Sequence, residues 1–110
     1  MYKQGEIVIV PFPFSDLSSI KQRPVLILSK NVDNENIEDI ITCGITANIK
    51  DTRYSILFDN SNLVEGEIPK QSRVKVDKLF TISQDIVKKK VGRIDKETFK
   101  KIKLEFIKLV

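Results

Sequence analysis

The chain alternates between short apolar runs rich in β-branched residues and polar, turn-forming stretches, a pattern that predicts strands over most of its length. Glu6–Phe12 reads as the first strand, entered from Gly5. It is almost continuously apolar, so both of its faces are expected to be buried. Pro11 and Pro13 limit ladder pairing and push the chain into a polar loop over Phe14–Arg23, which carries Ser15, Asp16, Ser18 and Ser19. Pro24–Ser29 is the second strand, with proline at its first position. Asn31–Glu38 reads as a polar loop and Asp39–Thr46 as the third strand, in which Gly44 marks a bulge or a close backbone approach. Tyr54–Phe58 is the fourth strand and Asp59–Gly66 a turn cluster. In Ser72–Asp77, Val74 and Val76 point one way while Arg73, Lys75 and Asp77 point the other. Leu79–Ile82 is expected to continue that strand after a bend, and Ile86–Arg93 is the last strand.

Only Asp95–Val110 carries a helical period. Asp95 suits the N-cap and Glu97 the positive helix end. Phe99, Ile102, Phe106 and Leu109 or Val110 form one apolar stripe that is expected to pack onto the sheet. Leu104 lies about 140° from Phe99 and reads as a lone exposed leucine. Six short strands followed by one helix predict a small barrel or sandwich with an appended helix, in which full or partial closure limits exposed strand edges.

At 110 residues the chain is expected to form one domain, 1–110. Apolar residues are 41% and charged residues 31%, as in globular rather than disordered chains. No apolar run approaches the roughly 20 residues of a membrane span, and no secretory leader is recognisable. Cys43 is the single cysteine; it forms neither an internal disulfide nor, alone, a zinc cage, and a cytoplasmic location is expected. Histidine is absent, which removes the commonest general base, the commonest metal ligand and every Ser-His or Cys-His dyad. The net charge of +4 is uneven: residues 86–110 hold nine basic and three acidic side chains. Such an end can attract phosphate, but a solvated lysine-rich face on a terminal helix is the preferred reading, and charge alone justifies no nucleic-acid claim.

Three segments carry candidate chemistry. In Ser15–Pro24, Pro24 holds the preceding Arg23 in extended backbone, so the direction of its guanidinium is set. A guanidinium delivered this way suits bidentate phosphate recognition. In Gly44–Asn48, the hydroxyl of Thr46 and the amide of Asn48 fall on one side of an extended chain and suit phosphate oxygens or base edges. In Ser72–Lys78, Lys75 and Asp77 share a polar face. Taken singly, each segment also reads as a solvated loop or half-exposed strand.

Together, GEIVIVPFPFSDLSSIKQRPVLILS, then GITANI, then SRVKVDKLFTI and VGRIDKETFKKI resemble the PemK/MazF family of toxin ribonucleases, in the family's order and over nearly the whole chain. The specific parts are the opening at Gly5–Phe12, Arg23-Pro24, Ile45-Thr46-Ala47, the Ser72–Ile82 block and Gly92-Arg93-Ile94. The resemblance implies a mainly β fold, an SH3-like β-barrel with a C-terminal helix, forming a homodimer with an RNA groove along its interface. It implies sequence-specific, metal-independent cleavage of single-stranded RNA, chiefly messenger RNA, with no cofactor. It also implies a cognate antitoxin that blocks the groove, with DNA contacted only through that complex. The family's catalytic arginine falls on Arg23 and its catalytic threonine on Thr46. Its RNA-contact positions fall on Phe14, Ser18, Ser19, Asn48, Ser72, Lys75, Asp77 and Lys78.

RNA supplies its own nucleophile, the ribose 2′-OH. On the implied chemistry, attack on phosphorus is expected to give a 2′,3′-cyclic phosphate and a 5′-OH, with Arg23 and Thr46 expected to stabilise charge on the nonbridging oxygens. Phe12 and Phe14 could supply base stacking, although the usual burial of phenylalanine favours core residues at a strand end. Two other readings stay open at this point: a barrel that binds antitoxin or nucleic acid without chemistry, and a gyrase-poison-like toxin of the same architecture.

Overall fold

The computed structural model describes residues 1–13 and 20–110. Among these residues seven strands, all paired antiparallel, form one curled sheet: β1 (Glu6–Pro13), β2 (Ile20–Ile27), β3 (Asp39–Thr46), β4 (Ser55–Phe58), β5 (Leu63–Gly66), β6 (Ser72–Ser83) and β7 (Lys89–Ile94). Their order is β4-β6-β3-β2-β1-β7-β5, so the sheet is a half-barrel with β4 and β5 outermost. Two helices accompany it, a short α1 (Asn31–Asn36) and the C-terminal α2 (Lys96–Ile107). The fold class is the mainly β, small-barrel-plus-helix arrangement that the resemblance implies.

Strands β1 and β2 are two-sided, as their continuous apolar sequences predict. Ile7 and Leu26 join Cys43, Phe58, Val74, Val76 and Ile102 in one core, while Val8, Val10, Val25 and Ile27 join Ile40 and Ile82 in another. Tyr2 and Val87 pack against the second core and α1 lies on β3. The prolines do not stop pairing as expected: β1 and β2 stay in register from Ile7↔Leu26 to Pro13↔Ile20, so β2 begins four residues before Pro24. Backbone orientation explains this. The Ile9 carbonyl accepts from Lys88 N–H at 2.8 Å, away from β2, and strand residues two apart face the same neighbour. Pro11 and Pro13 therefore lack their N–H on the side where β7, which pairs only as far as Ile9, no longer runs.

Three further segments depart from the sequence pattern. Asn31–Asn36 is one helical turn and a half rather than loop, held by Asn34, whose amide donates to the Ser29 carbonyl at 3.1 Å. The turn cluster contains β5: Asp59 caps a short 3₁₀ turn at Asn60–Asn62, and Leu63–Gly66 then pairs with β7. The last strand starts at Lys89, not Ile86, because Gln84–Ile86 is itself a 3₁₀ turn capped by Ser83. Strand β6 does continue through Leu79–Ile82, with a register shift opposite Cys43/Gly44 that absorbs Val76–Lys78.

Helix α2 opens where predicted, the Asp95 carboxylate accepting from Thr98 N–H at 2.7 Å. It leaves β7 and packs against β4 and β6, across the mouth of the half-barrel. Ile102 is fully buried there; Phe99, Phe106 and Leu109 pack around it, while Val110 is exposed and so falls outside the stripe. Leu104 is exposed, as expected.

Candidate functional site

Sheet register brings the two principal candidates together. Strands β2 and β3 pair as Leu26↔Cys43 and Val25↔Gly44, so Arg23 and Thr46 each lie two residues beyond the last pair, at the same end of the ladder. Both line two adjoining clefts, of about 590 and 770 Å³, so they form the ridge between them.

Cleft one is lined by Arg23, Thr46, Asn48, Lys50, Thr52, Lys75, Lys78 and Phe80, over a floor of Pro24, Gly44 and Ile45. Among the described residues four cations and no carboxylate line it, a field of one sign suited to phosphate. The β3–β4 loop is tied down beside it. Arg73 donates to the Ile49 carbonyl at 3.0 Å and to Ser55 Oγ at 3.2 Å, with Asp51 at 3.5 Å, and Lys75 Nζ donates to Thr52 Oγ1 at 3.1 Å. Thr46 Oγ1 accepts from Asn48 N–H at 3.1 Å, and Asn48 Oδ1 from Lys50 N–H at 3.1 Å. With one lone pair of Thr46 taken by its own loop, the hydroxyl proton is left to point elsewhere.

Cleft two continues past the ridge, over Ile7, Ile9, Ile45, Ile68 and Val91, and is edged by Gln22, Glu67, Ser72 and Lys89. Ser72 is buried, its hydroxyl donating to the Lys70 carbonyl at 3.0 Å. Asp77 is exposed and lines neither cleft. Its charge adds to burial in pushing the Cys43 thiol up to about 12, which keeps that sulfur protonated and unreactive. Phe14, Ser18 and Ser19 lie outside the described residues, as does the side chain of Phe12. Among the described residues no group of three or more His, Cys, Asp or Glu side chains is placed to hold a metal ion, and no helix is long and apolar enough to cross a membrane.

The structure thus gathers Arg23, Thr46, Asn48, Lys75 and Lys78 on one cleft, puts Ser72 on the other and leaves Asp77 aside. Lys50, Thr52 and Phe80 join the first cleft without having stood out in sequence. The first two follow a predicted strand end in a polar stretch. Phe80 shows its place only through β6 register, which sets it opposite Thr42 with its ring 3.7 Å from where a Gly44 side chain would begin.

The sequence profile of the PemK-like, MazF-like toxins of type II toxin–antitoxin systems matches residues 3–110. The chain belongs to that family. No curated protein sequence matches it significantly. Solved structures of similar shape include an endoribonuclease in complex with its cognate antitoxin from a mycobacterial species, with a TM-score of 0.79 and 19% identity over 98% of this chain and 93% of that one. Another is a MazE–MazF assembly from Deinococcus radiodurans, at 0.78 and 15% over 98% and 94%. A third is the Mycobacterium tuberculosis toxin MazF-mt6, at 0.68 and 19% over 90% and 91%. At these identities the PemK/MazF fold is what the likeness carries.

Proposed function

We propose that this PemK/MazF-family chain is an endoribonuclease that cuts single-stranded messenger RNA and is held in check by a cognate antitoxin. The observation that carries the reading is the juxtaposition of Arg23 and Thr46 on a ridge beside a cleft lined by cations. RNA bound across that ridge lays its phosphates along Lys50, Lys75 and Lys78. The scissile group sits at Arg23 and Thr46, and an unstacked base rests on Phe80. The 2′-OH attacks phosphorus, the 5′ oxygen departs, and the products are a 2′,3′-cyclic phosphate and a 5′-OH. The Arg23 guanidinium and the outward Thr46 proton meet the charge that gathers on the nonbridging oxygens. Arginine stays protonated, so Arg23 acts as a cation and a donor toward the leaving oxygen, not as a base.

The fold neighbours bound to antitoxins support an antitoxin as the partner here, seated on the same cationic cleft. A homodimer fits the exposed apolar surface of β3 and β6, where Ile41 and Leu79 are diagonal neighbours on one face. Messenger RNA as substrate places the protein in the cytoplasm.

The test is a chimaeric oligonucleotide with one deoxyribose at the cut position, incubated with and without chelator. Cleavage of the all-ribose strand in both buffers and none of the chimaera is expected; cleavage at the deoxyribose eliminates 2′-OH attack. Arg23→Ala should lower the rate about a hundredfold or more while circular dichroism stays unchanged. A folded wild-type protein that binds RNA but never cuts it would reduce the chain to a binding module.

A further inference from the structure

Glu67 is the one carboxylate lining either cleft among the described residues, and the reaction above does not use it. Its backbone is fixed on both sides. Before it, Gly66 adopts φ +75° and lies so close to β7 that a side chain there would begin 2.0 Å from the Val91 carbonyl oxygen. After it, Ile68 is buried and its backbone is pinned twice by Asn60. Ile68 N–H donates to Asn60 Oδ1 at 2.7 Å, and the Ile68 carbonyl accepts from Asn60 Nδ2 at 3.1 Å. Glu65, two residues upstream, is engaged by Lys90 and Arg93. Glu67 is exposed and takes no hydrogen bond or ion pair from any described residue. The chain therefore spends a rigid turn on holding an unpaired carboxylate at the lip of an apolar cleft.

We propose that the second cleft is a nucleobase subsite and that Glu67 selects guanine there, an inference that rests on the nuclease reading above. At about 770 Å³ the cleft has room for a nucleotide, and its isoleucine and valine floor suits the face of an unstacked base. A carboxylate offers two acceptor oxygens and no donor. Guanine alone presents two adjacent donors, N1–H and N2–H, on its Watson–Crick edge, and one carboxylate satisfies both. Adenine and cytosine each set an acceptor nitrogen beside their amino group, and uracil flanks its single N–H with two carbonyls. Each of these three therefore turns a lone pair toward a carboxylate oxygen. Lys89, on the same cleft, takes the phosphate next to that base. Because Arg23 and Thr46 border both clefts, the selected guanine stands at a fixed distance along the strand from the scissile phosphate.

The test compares wild type with Glu67→Gln, which keeps the size but replaces one acceptor by a donor. Cleavage sites of both are mapped by primer extension on the same transcripts. The wild type should cut only where guanine occupies one fixed position near the bond. Glu67→Gln should lose that preference at least fivefold while still cutting, the usual worth of a bidentate base contact. Lys89→Gln should weaken cleavage at every site and leave the motif intact. An unchanged guanine requirement in Glu67→Gln, or no guanine at any fixed position for the wild type, overturns the proposal. A second arm measures anisotropy of labelled oligouridines carrying one central guanine, adenine or cytosine, on the Arg23→Ala background. There, guanine preference should vanish with Glu67→Gln. If the wild type cuts no RNA, the nuclease reading fails by itself, and equal affinity for the three oligonucleotides in the second arm sinks the guanine subsite separately.

Discussion

Gly66→Ala perturbs the close approach of β5 to β7 in a way that can be worked out in advance. At φ +75° the backbone of residue 66 is left-handed, which costs an L-residue about 1–2 kcal/mol. The added methyl would also meet Val91 O at 2.0 Å, Gly92 Cα at 2.5 Å and Val91 C at 2.8 Å, all of them backbone atoms that no side-chain rotation can move. Forcing an extra carbon into packed structure costs about 1–3 kcal/mol more. The sum, roughly 2–5 kcal/mol, is a large share of the 5–15 kcal/mol that typically separates folded from unfolded chains. At about 4–8 °C per kcal/mol, the thermal midpoint should fall by roughly 10 °C or more. Gly44→Ala is the matched control. Its nearest neighbour is Lys78 Cβ at 3.5 Å, an ordinary contact, so its midpoint should stay level or rise slightly. Both are read by circular dichroism at one protein concentration, since any self-association would move the midpoint. A Gly66→Ala midpoint within about 2 °C of wild type, or equal losses in both variants, would refute the steric argument.

Cys43 should ignore an aromatic disulfide reagent at pH 8 in the native state and react fully in urea, because burial holds its thiol at about 12. Since the unfolded thiol ionises near 8.5, the unfolded chain loses that proton first. Stability should therefore decline from about pH 8.5 upward, and Cys43→Ala should flatten the urea midpoint between pH 7 and pH 10. At the acid end, the hydrogen bond from Lys90 holds the Glu65 carboxyl below its usual range. Its contribution is present above the unfolded value near 4.3 and is lost as pH falls through the lower folded value, so Glu65→Gln should blunt acid unfolding followed by fluorescence of a bound dye. Lys50→Gln and Lys75→Gln should each lower the slope of log affinity for single-stranded RNA against log salt by about 0.7; an unchanged slope would take that lysine off the phosphate path.

The parts of the fold that sequence revealed are those where one residue's type decides its surroundings. Asp39–Thr46 carries its own strand limits, and Asp95 with Phe99, Ile102 and Phe106 defines a capped amphipathic helix. What escaped was decided by partners. Leu63–Gly66 is a strand only because Gly92 lets β7 approach, and nothing in Leu-Val-Glu-Gly itself states that. Pro11 and Pro13 looked like breakers because their tolerance depends on which neighbour they face. Arg23 and Thr46 stood out by backbone restriction and family resemblance, and it is the β2–β3 ladder that leaves both at one end of the strands and on the same two clefts. Glu67 and Phe80 were not legible: a turn glutamate and a strand phenylalanine gain meaning only from Asn60, Gly66 and the β6 register shift.

Helix α2 has a consequence for when the molecule comes into being. Ile102 shares its core with Ile7, and β1 takes β7 as its neighbour, so the first and last thirds of the chain depend on each other. Until β7 and α2 have both left the ribosome the interior stays unsealed, and long-range pairing of this kind is slow to form. On the proposed activity, a cutter of messages would thus stay unassembled until its helical cover had emerged and docked.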